Sequence, residues 1–382
     1  SSALRAAQTN PSRSDVLARR PDFILVDIMM PELDGLEFCR RVREHADLAA
    51  TKVIFVTAKS YDFDRRQGTA AGADGYITKP LGPDFPRQLA ALLVPSIELR
   101  YWGVHGTLPV PGKDNVRYGG NTSCVTMSFS QDRLFIFDAG SGIRSLGTYL
   151  MGQKKRISAH IFISHPHWDH INAFPYFAPL FMQGNEFKII GAAHGDISLQ
   201  KMISDQMDGI YFPVTMREFG ARVSFREIGE QQLEVEGITV TSMLLTHPGQ
   251  CLGYRVDIGD RSLCYVTDNE LFPADLPQHN AHYRQQLVAF VEDADVLITD
   301  TTYMDEAYRS RIGWGHSAIG EVARLSHDAR VKELHLFHHD PDQTDDDIDR
   351  KLEAATKLLS GWGSATKCVA PAEGDIVTIP LR

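Results

Sequence analysis

Residues 162 to 174 read FISHPHWDHINAF, and His165, His167, Asp169 and His170 within them form a His-x-His-x-Asp-His cluster. Imidazole nitrogens and carboxylate oxygens suit zinc and neighbouring transition metals, and a catalytic ion keeps one coordination position for water. Four such groups cannot complete two metal sites, so partners must come from elsewhere in the chain. His247 follows the run TVTSMLLT, Asp268 follows SLCYVT and His338 follows ELHLF, each just past a predicted strand end. His339 competes with His338, which is preferred because it directly follows the strand. A metal pair held by these side chains lowers the pKa of bound water toward about 7 and, at a separation of roughly 3.5 to 4 Å, clamps the attacking and phosphoryl oxygens of a displacement. The single negative charge of a phosphodiester suits such a site.

The elements that must position these groups follow from hydrophobic patterning. In residues 95–382 short strand-like runs dominate, among them SIELRYW, SCVTMSF, RLFIFDAG, AHIFISH, KIIGAA, LGYRVDI, VLITDTTY and IVTIPL, with helices after Trp314 and after Gln343. Two strand-rich layers flanked by helices satisfy this pattern. Thr344, with Asp347 three residues on, marks the start of the second of those helices. Residues 1–94 instead alternate FILVDI, GLEFCRRVREH, KVIFVTA, a polar helix-like stretch and GYITKP, the signature of a parallel sheet with crossover helices. Asp27, Thr57 and Lys79 stand at the carboxyl ends of its three strands, where open α/β sheets bind ligands.

Composition narrows the partners. The 382 residues carry a formal net charge of -10 and no long Lys/Arg cluster, which argues against duplex nucleic acid. No apolar run approaches the ~18 residues needed to span a bilayer, so no membrane insertion is expected. The first twenty residues lack the apolar stretch of a secretory signal, and the five cysteines lie far apart without a C-x-x-C pair. A cytoplasmic location with reduced thiols is the expectation.

Two resemblances sharpen this reading. LVDIMMPELDG, VIFVTA and GADGYITKP resemble the response-regulator receiver domain, which implies Asp27 as phosphoacceptor, Thr57 as switch hydroxyl, Lys79 as phosphate-pairing cation, and a sensor histidine kinase as partner. Receivers begin with a strand ending in an acidic pair that binds Mg²⁺. Nothing before residue 20 supplies that pair, so the first strand is expected to be missing: the chain is either a fragment of a longer one, which would then bind Mg²⁺, or a receiver that has become a docking surface.

Residues 95–382 resemble the metallo-β-lactamase superfamily, an αββα sandwich, and within it the phosphodiesterase branch that includes ribonuclease Z. The expected fold class is therefore α/β, a receiver-like (flavodoxin-like) parallel sheet domain followed by that sandwich. The resemblance implies that His165, His167 and His247 hold one metal, that Asp169, His170 and His338 hold the second, and that Asp268 bridges them. Two divalent transition-metal ions are expected, zinc or manganese, with iron also compatible. FDAGSGIRSLG is similar to the branch's Asp-x-Gly-x-Gly turn. VLITDTTY and GWGHSAIGEVARLS are similar to its acidic strand and His-Ser-Thr helix start, which implies that Asp300 orients His316 and that His316 protonates the leaving oxygen, with Asp169 orienting the hydroxide. The plainer alternative makes Ser317 a helix N-cap and His316 a packed neighbour. His105 and Asn121, in early loops, are placed at the pocket.

Between His170 and His247 the chain has DQMDGIYFPVTMREFG, neither basic nor Gly-rich, where ribonuclease Z carries a tRNA-gripping arm. A small phosphodiester such as a cyclic nucleotide is therefore the leading substrate class, and relatives suggest a homodimer. The competing readings are a metallo-hydrolase of acyl esters, lactones or thioesters, and a non-catalytic signalling module with structural metals.

Overall fold

The computed structural model describes residues 6–7, 21–30, 34–49, 51–58, 62–83, 85–93, 95–129 and 133–381. The chain divides into two compact units, Ser1–Ser96 and Ile97–Arg382.

In the first unit β1 (Ala6–Ala7), β2 (Phe23–Val26), β3 (Lys52–Thr57) and β4 (Gly75–Thr78) lie side by side in that order, all parallel. Side chains alternate across a strand. Val53 and Phe55 accordingly pack with Leu36, Phe38 and Val42 of the helix Gly35–Arg43, while Ile54 and Val56 pack with Leu89 and Leu92 of the helix Phe85–Leu93 on the other face. Burial on both faces is why these strands read as unbroken apolar runs. Asp34 caps the first helix by accepting from the Leu36 amide at 3.3 Å. The expectation of a missing first strand and acidic pair concerns residues 1–20, which lie outside the described residues apart from Ala6–Ala7.

The second unit is built from two seven-stranded sheets. The first sheet contains β5 (Ser96–Gly103), β6 (Cys124–Phe129), β7 (Arg133–Phe137), β8 (Ser158–Phe162), β9 (Glu186–Gly191) and β10 (Arg222–Glu227). The second contains β11 (Gln232–Val235), β12 (Ile238–Leu245), β13 (Cys251–Ile258), β14 (Arg261–Val266), β15 (Val296–Asp300), β16 (Glu333–Phe337) and β17 (Lys367–Val369). The chain then returns as β18 (Ile376–Pro380) to the free side of β5. Alternation again assigns the faces: Phe135 and Phe137 enter the core between the sheets, and Ile136 points outward. That inner core is aromatic. Phe137 stacks on Phe162 at 5.2 Å between ring centroids and meets Tyr265 at 5.3 Å. The outer face of the first sheet packs on the helix Ile143–Gly152, and that of the second on Ala281–Val291, Ile319–Asp328 and Asp345–Gly361, giving αββα layers.

What positions the site is the parallel run of β14, β15 and β16. Val266 pairs with Thr299 and Thr299 with Leu336, so the three strands end level and deliver Asp268, Asp300 and His338 side by side. The helix Asp345–Gly361 begins with the capping box expected from Thr344 and Asp347: the Thr344 side chain accepts from the Asp347 amide, and the Asp347 carboxylate accepts from the Thr344 amide at 2.9 Å.

Candidate metal centre

Asp268 lies between two groups of ligand atoms. Its Oδ2 faces His165 Nε2 at 3.5 Å and His247 Nε2 at 3.8 Å, while its Oδ1 faces His170 Nε2 at 3.2 Å and His338 Nε2 at 3.1 Å. His167 joins the first group, with Nδ1 3.0 Å from His247 Nε2. Asp169 joins the second, with Oδ2 3.1 Å from both His170 Nε2 and His338 Nε2. Within each group the ligand atoms lie within 4.8 Å of one another, a spacing at which each can hold a metal ion. All seven residues singled out in the sequence thus converge, and His338 rather than His339 faces the others. His339 Nδ1 instead takes a hydrogen bond from the buried Lys351 ammonium at 2.8 Å.

The two carboxylates carry the negative charge of the site. Burial works against charge on Asp268 and Asp169, yet the surrounding imidazoles, His170 foremost, hold both carboxyls well below the usual range. His165 is pushed well below its ordinary value by burial. His165 Nε2 and His170 Nε2 lie close to carboxylates but make no aligned hydrogen bond, although both are shielded from solvent. Buried polar atoms are normally satisfied, so orphaned nitrogens aimed at shared carboxylates match metal ligation.

Outer contacts fix the rings. His170 Nδ1 donates to Asp138 Oδ2 at 2.7 Å, and Asp138 also accepts from Tyr265 Oη at 2.8 Å and from the Ser164 amide at 2.7 Å. His247 Nδ1 donates to the Gly315 carbonyl at 2.9 Å. Such partners set ring orientation and ligand basicity. The backbone is strained at the same place: Asp138, Asp268 and His338 have φ of 60°, 46° and 58°, the left-handed region that non-glycine residues seldom occupy. Each turns its side chain into the site just past a strand.

Two glycines leave room for the rings. A Cβ on Gly106 would stand 2.1 Å from His338 Cε1, and one on Gly315 would stand 2.3 Å from His247 Nδ1. Gly106→Ala is therefore expected to displace His338 and to weaken metal affinity by about 10- to 100-fold, the range seen when ligand orientation is disturbed. Metal titration of the apo protein measures this; affinity equal to the wild type would show that His338 is not a ligand.

Asp300 and His316 adjoin the second group. His316 Nδ1 donates to Asp300 Oδ2 at 2.8 Å, and the His316 ring stacks on that of His338 at 4.9 Å. Burial pushes the His316 pKa down, but Asp300, with Asp268 and Asp169 behind it, raises it to about 9. Asp300 is held in turn by the Thr302 amide at 2.9 Å and hydroxyl at 2.6 Å.

Three placements differ from the sequence expectations. Ser317 is not a helix cap: it accepts from the Leu271 amide at 3.0 Å and donates to the Asn269 carbonyl, and Ala318 holds the cap position without a side-chain bond. His105 is fully buried with its ring against His339, and Asn121 is tied to Glu373 Oε2 at 2.7 Å, so neither lines the pocket beside the centre. Three contributors carry no metal-ligand signature: Asp138, Gly106 and the buried Glu270, whose carboxylate accepts from the Gly313 and Gly315 amides at 2.8 Å and so shapes the loop carrying His316. Asp138 lies in the quoted FDAGSG turn; for the other two the sequence holds no such cue.

In the first unit Lys79 Nζ lies 2.7 Å from Asp27 Oδ2, and the Met29 amide donates to Asp27 Oδ1 at 3.1 Å. Burial opposes charge on Asp27, but Lys79, the Met29 amide and the Thr57 side chain lower its pKa. The three strand-end residues thus meet at one point.

Residues 133–339, more than half of the chain, match the description "Beta-lactamase superfamily domain", and residues 5–90 match "Response regulator receiver domain". The chain belongs to the β-lactamase superfamily and carries a receiver domain ahead of the superfamily domain. Over 90 residues, 24% of this chain, it is 38% identical to the phosphate regulon transcriptional regulatory protein PhoB of Pseudomonas aeruginosa, and spans 38% of that protein. The metallo-beta-lactamase fold protein YhfI of Bacillus subtilis is similar with a TM-score of 0.54 and 20% identity, covering 74% of this chain and 99% of that one. A diphosphatase from the PhnP family is similar with a TM-score of 0.53 and 16% identity, covering 75% and 98%. At these identities the structural likeness is one of fold. No helix among the described residues is long and apolar enough to cross a membrane.

Proposed function

We propose that the chain is a dinuclear metal-dependent hydrolase of a small phosphodiester, such as a cyclic nucleotide. The observation that carries this reading is the Asp268 carboxylate, one oxygen turned to each of two His/Asp groups, with the His316–Asp300 pair beside the second. When bound, a pair of zinc or manganese ions supplies hydroxide near neutral pH and polarises the phosphoryl oxygens. The chain's own groups do the rest. Asp169, whose Oδ2 also accepts from the Thr107 amide at 2.7 Å, orients the attacking water. His316, held by Asp300 through Nδ1, has Nε2 to offer a proton to the departing alkoxide. Metal analysis coupled to a panel of an aryl phosphodiester, cyclic mononucleotides, cyclic dinucleotides and a lactone tests the reading. Turnover of the lactone alone would replace it with acyl hydrolysis, and no turnover of any member with metal bound would favour a signalling module.

We further propose that a kinase or small phosphodonor phosphorylates Asp27 and thereby alters hydrolase activity or dimerisation. Supporting this are the Asp27–Lys79 contact and the receiver likeness. Treating a chain that includes the acidic pair with a phosphate mimic should shift turnover or assembly, and Asp27→Asn should abolish the shift; unchanged turnover and assembly would remove the coupling.

A further inference from the structure

Beside the candidate metal centre opens a pocket of about 830 Å³ whose lining includes His167, one of the predicted ligands. One wall follows the His-x-His-x-Asp-His turn with Trp168 and Tyr176; the other comes from the segment after β9, with Tyr211 and Phe212. Trp168 is 81% exposed and Tyr211 82%. Large flat side chains grouped in the open beside a polar centre mark a binding surface, because an incoming ring would remove their apolar faces from water. No lysine or arginine lines the pocket, and its one carboxylate, Asp205, is paired with Lys201 at 2.8 Å. A second anionic group of a substrate would meet no ammonium or guanidinium on these walls, only the imidazoles of His167 and His194.

Two lining residues, Asn172 and Gln206, bring carboxamide side chains to the same walls. A carboxamide offers both a donor and an acceptor to the edge of a ring.

We propose that this pocket holds an uncharged heteroaromatic ring of the substrate, seated against Trp168 and Tyr211 and met at its edge by Asn172 and Gln206. The chain thereby selects phosphodiesters that carry a nucleobase-like group and disfavours those that place a second phosphate there. The inference rests on the phosphodiester reading above and adds the substrate's non-reacting end to it. Aromatic stacking on a base is tolerant of base identity, so the selection is for a ring rather than for one particular base.

The test uses the metal-loaded full chain and compares kcat/KM for a cyclic mononucleotide with that for the base-free cyclic ribose phosphate. The expected preference for the base-bearing substrate is about tenfold or more, carried mainly in KM, as stacking on one aromatic side chain provides. It should fall to near unity in Trp168→Ala and persist in Trp168→Phe; Trp168 is exposed, so circular dichroism should show both variants folded. Equal kcat/KM values in the wild type, or a preference that survives Trp168→Ala, would overturn the pocket assignment and leave the hydrolase reading intact. Absence of turnover on both substrates would also overturn it, and an aryl phosphodiester run in parallel then shows whether the phosphodiester reading falls as well.

Discussion

Replacing Asp268 with alanine is expected to reduce bound metal from two ions per chain to one or none and to lower hydrolysis by a factor of about 10²–10⁴. Its two oxygens face different groups, Oδ2 toward His165 and His247 and Oδ1 toward His170 and His338, so one substitution disturbs both sites. The fall in hydrolysis follows from losing the hydroxide and the phosphoryl polarisation that a metal pair supplies; separately, Asp268 is buried among imidazoles, and removing one member of a buried charge cluster costs about 3–5 kcal/mol of folding stability. Asp268→Asn separates charge from shape. It keeps the volume but not the second anionic oxygen, and should lose the same metal while unfolding less readily. Elemental analysis with thermal melts of both variants distinguishes the cases; retention of two ions in Asp268→Ala would rule out a bridging carboxylate.

His316→Ala should leave metal content at two and lower kcat by about 10²–10⁴ for substrates with an alkoxide leaving group, the range contributed by a positioned general acid. A p-nitrophenolate leaving group departs with little need of a proton, so the loss on an aryl diester should be far smaller. That contrast separates proton donation from packing, since a ring that merely stacks on His338 would affect both substrates alike. Asp300→Asn should reproduce part of the effect, because His316 would lose the carboxylate that raises its pKa to about 9 and fixes its Nδ1. Equal losses on the two leaving groups would contradict the assignment.

Much of the site could be read from the sequence because its parts sit at strand ends. His165 to His170 are contiguous, and Asp268, Asp300 and His338 each terminate or directly follow an apolar run that burial makes conspicuous. The choice between His338 and His339 was partly legible from adjacency to β16, but the left-handed backbone at His338 that turns its ring toward Asp268 was not. Strands β10 and β11 are hard to read from sequence because RVSFRE and QLEV interleave charges with few apolar residues, as outer strands with exposed faces do. The helix Ala281–Val291 is faint in the sequence for a related reason: only Leu287 and Val291 are buried, so its apolar period is weak. Gly106 and Glu270 act through contacts hundreds of residues apart in part, 106 against 338, and no local pattern encodes such a clearance.

The most direct measurement is anomalous diffraction from crystals of the metal-loaded protein, collected at the edges of the ions that elemental analysis finds. The expected result is two peaks flanking Asp268, one among His165, His167 and His247 and the other among Asp169, His170 and His338, each with one Asp268 oxygen as ligand. A single peak, or ions bound away from Asp268, would contradict the dinuclear centre.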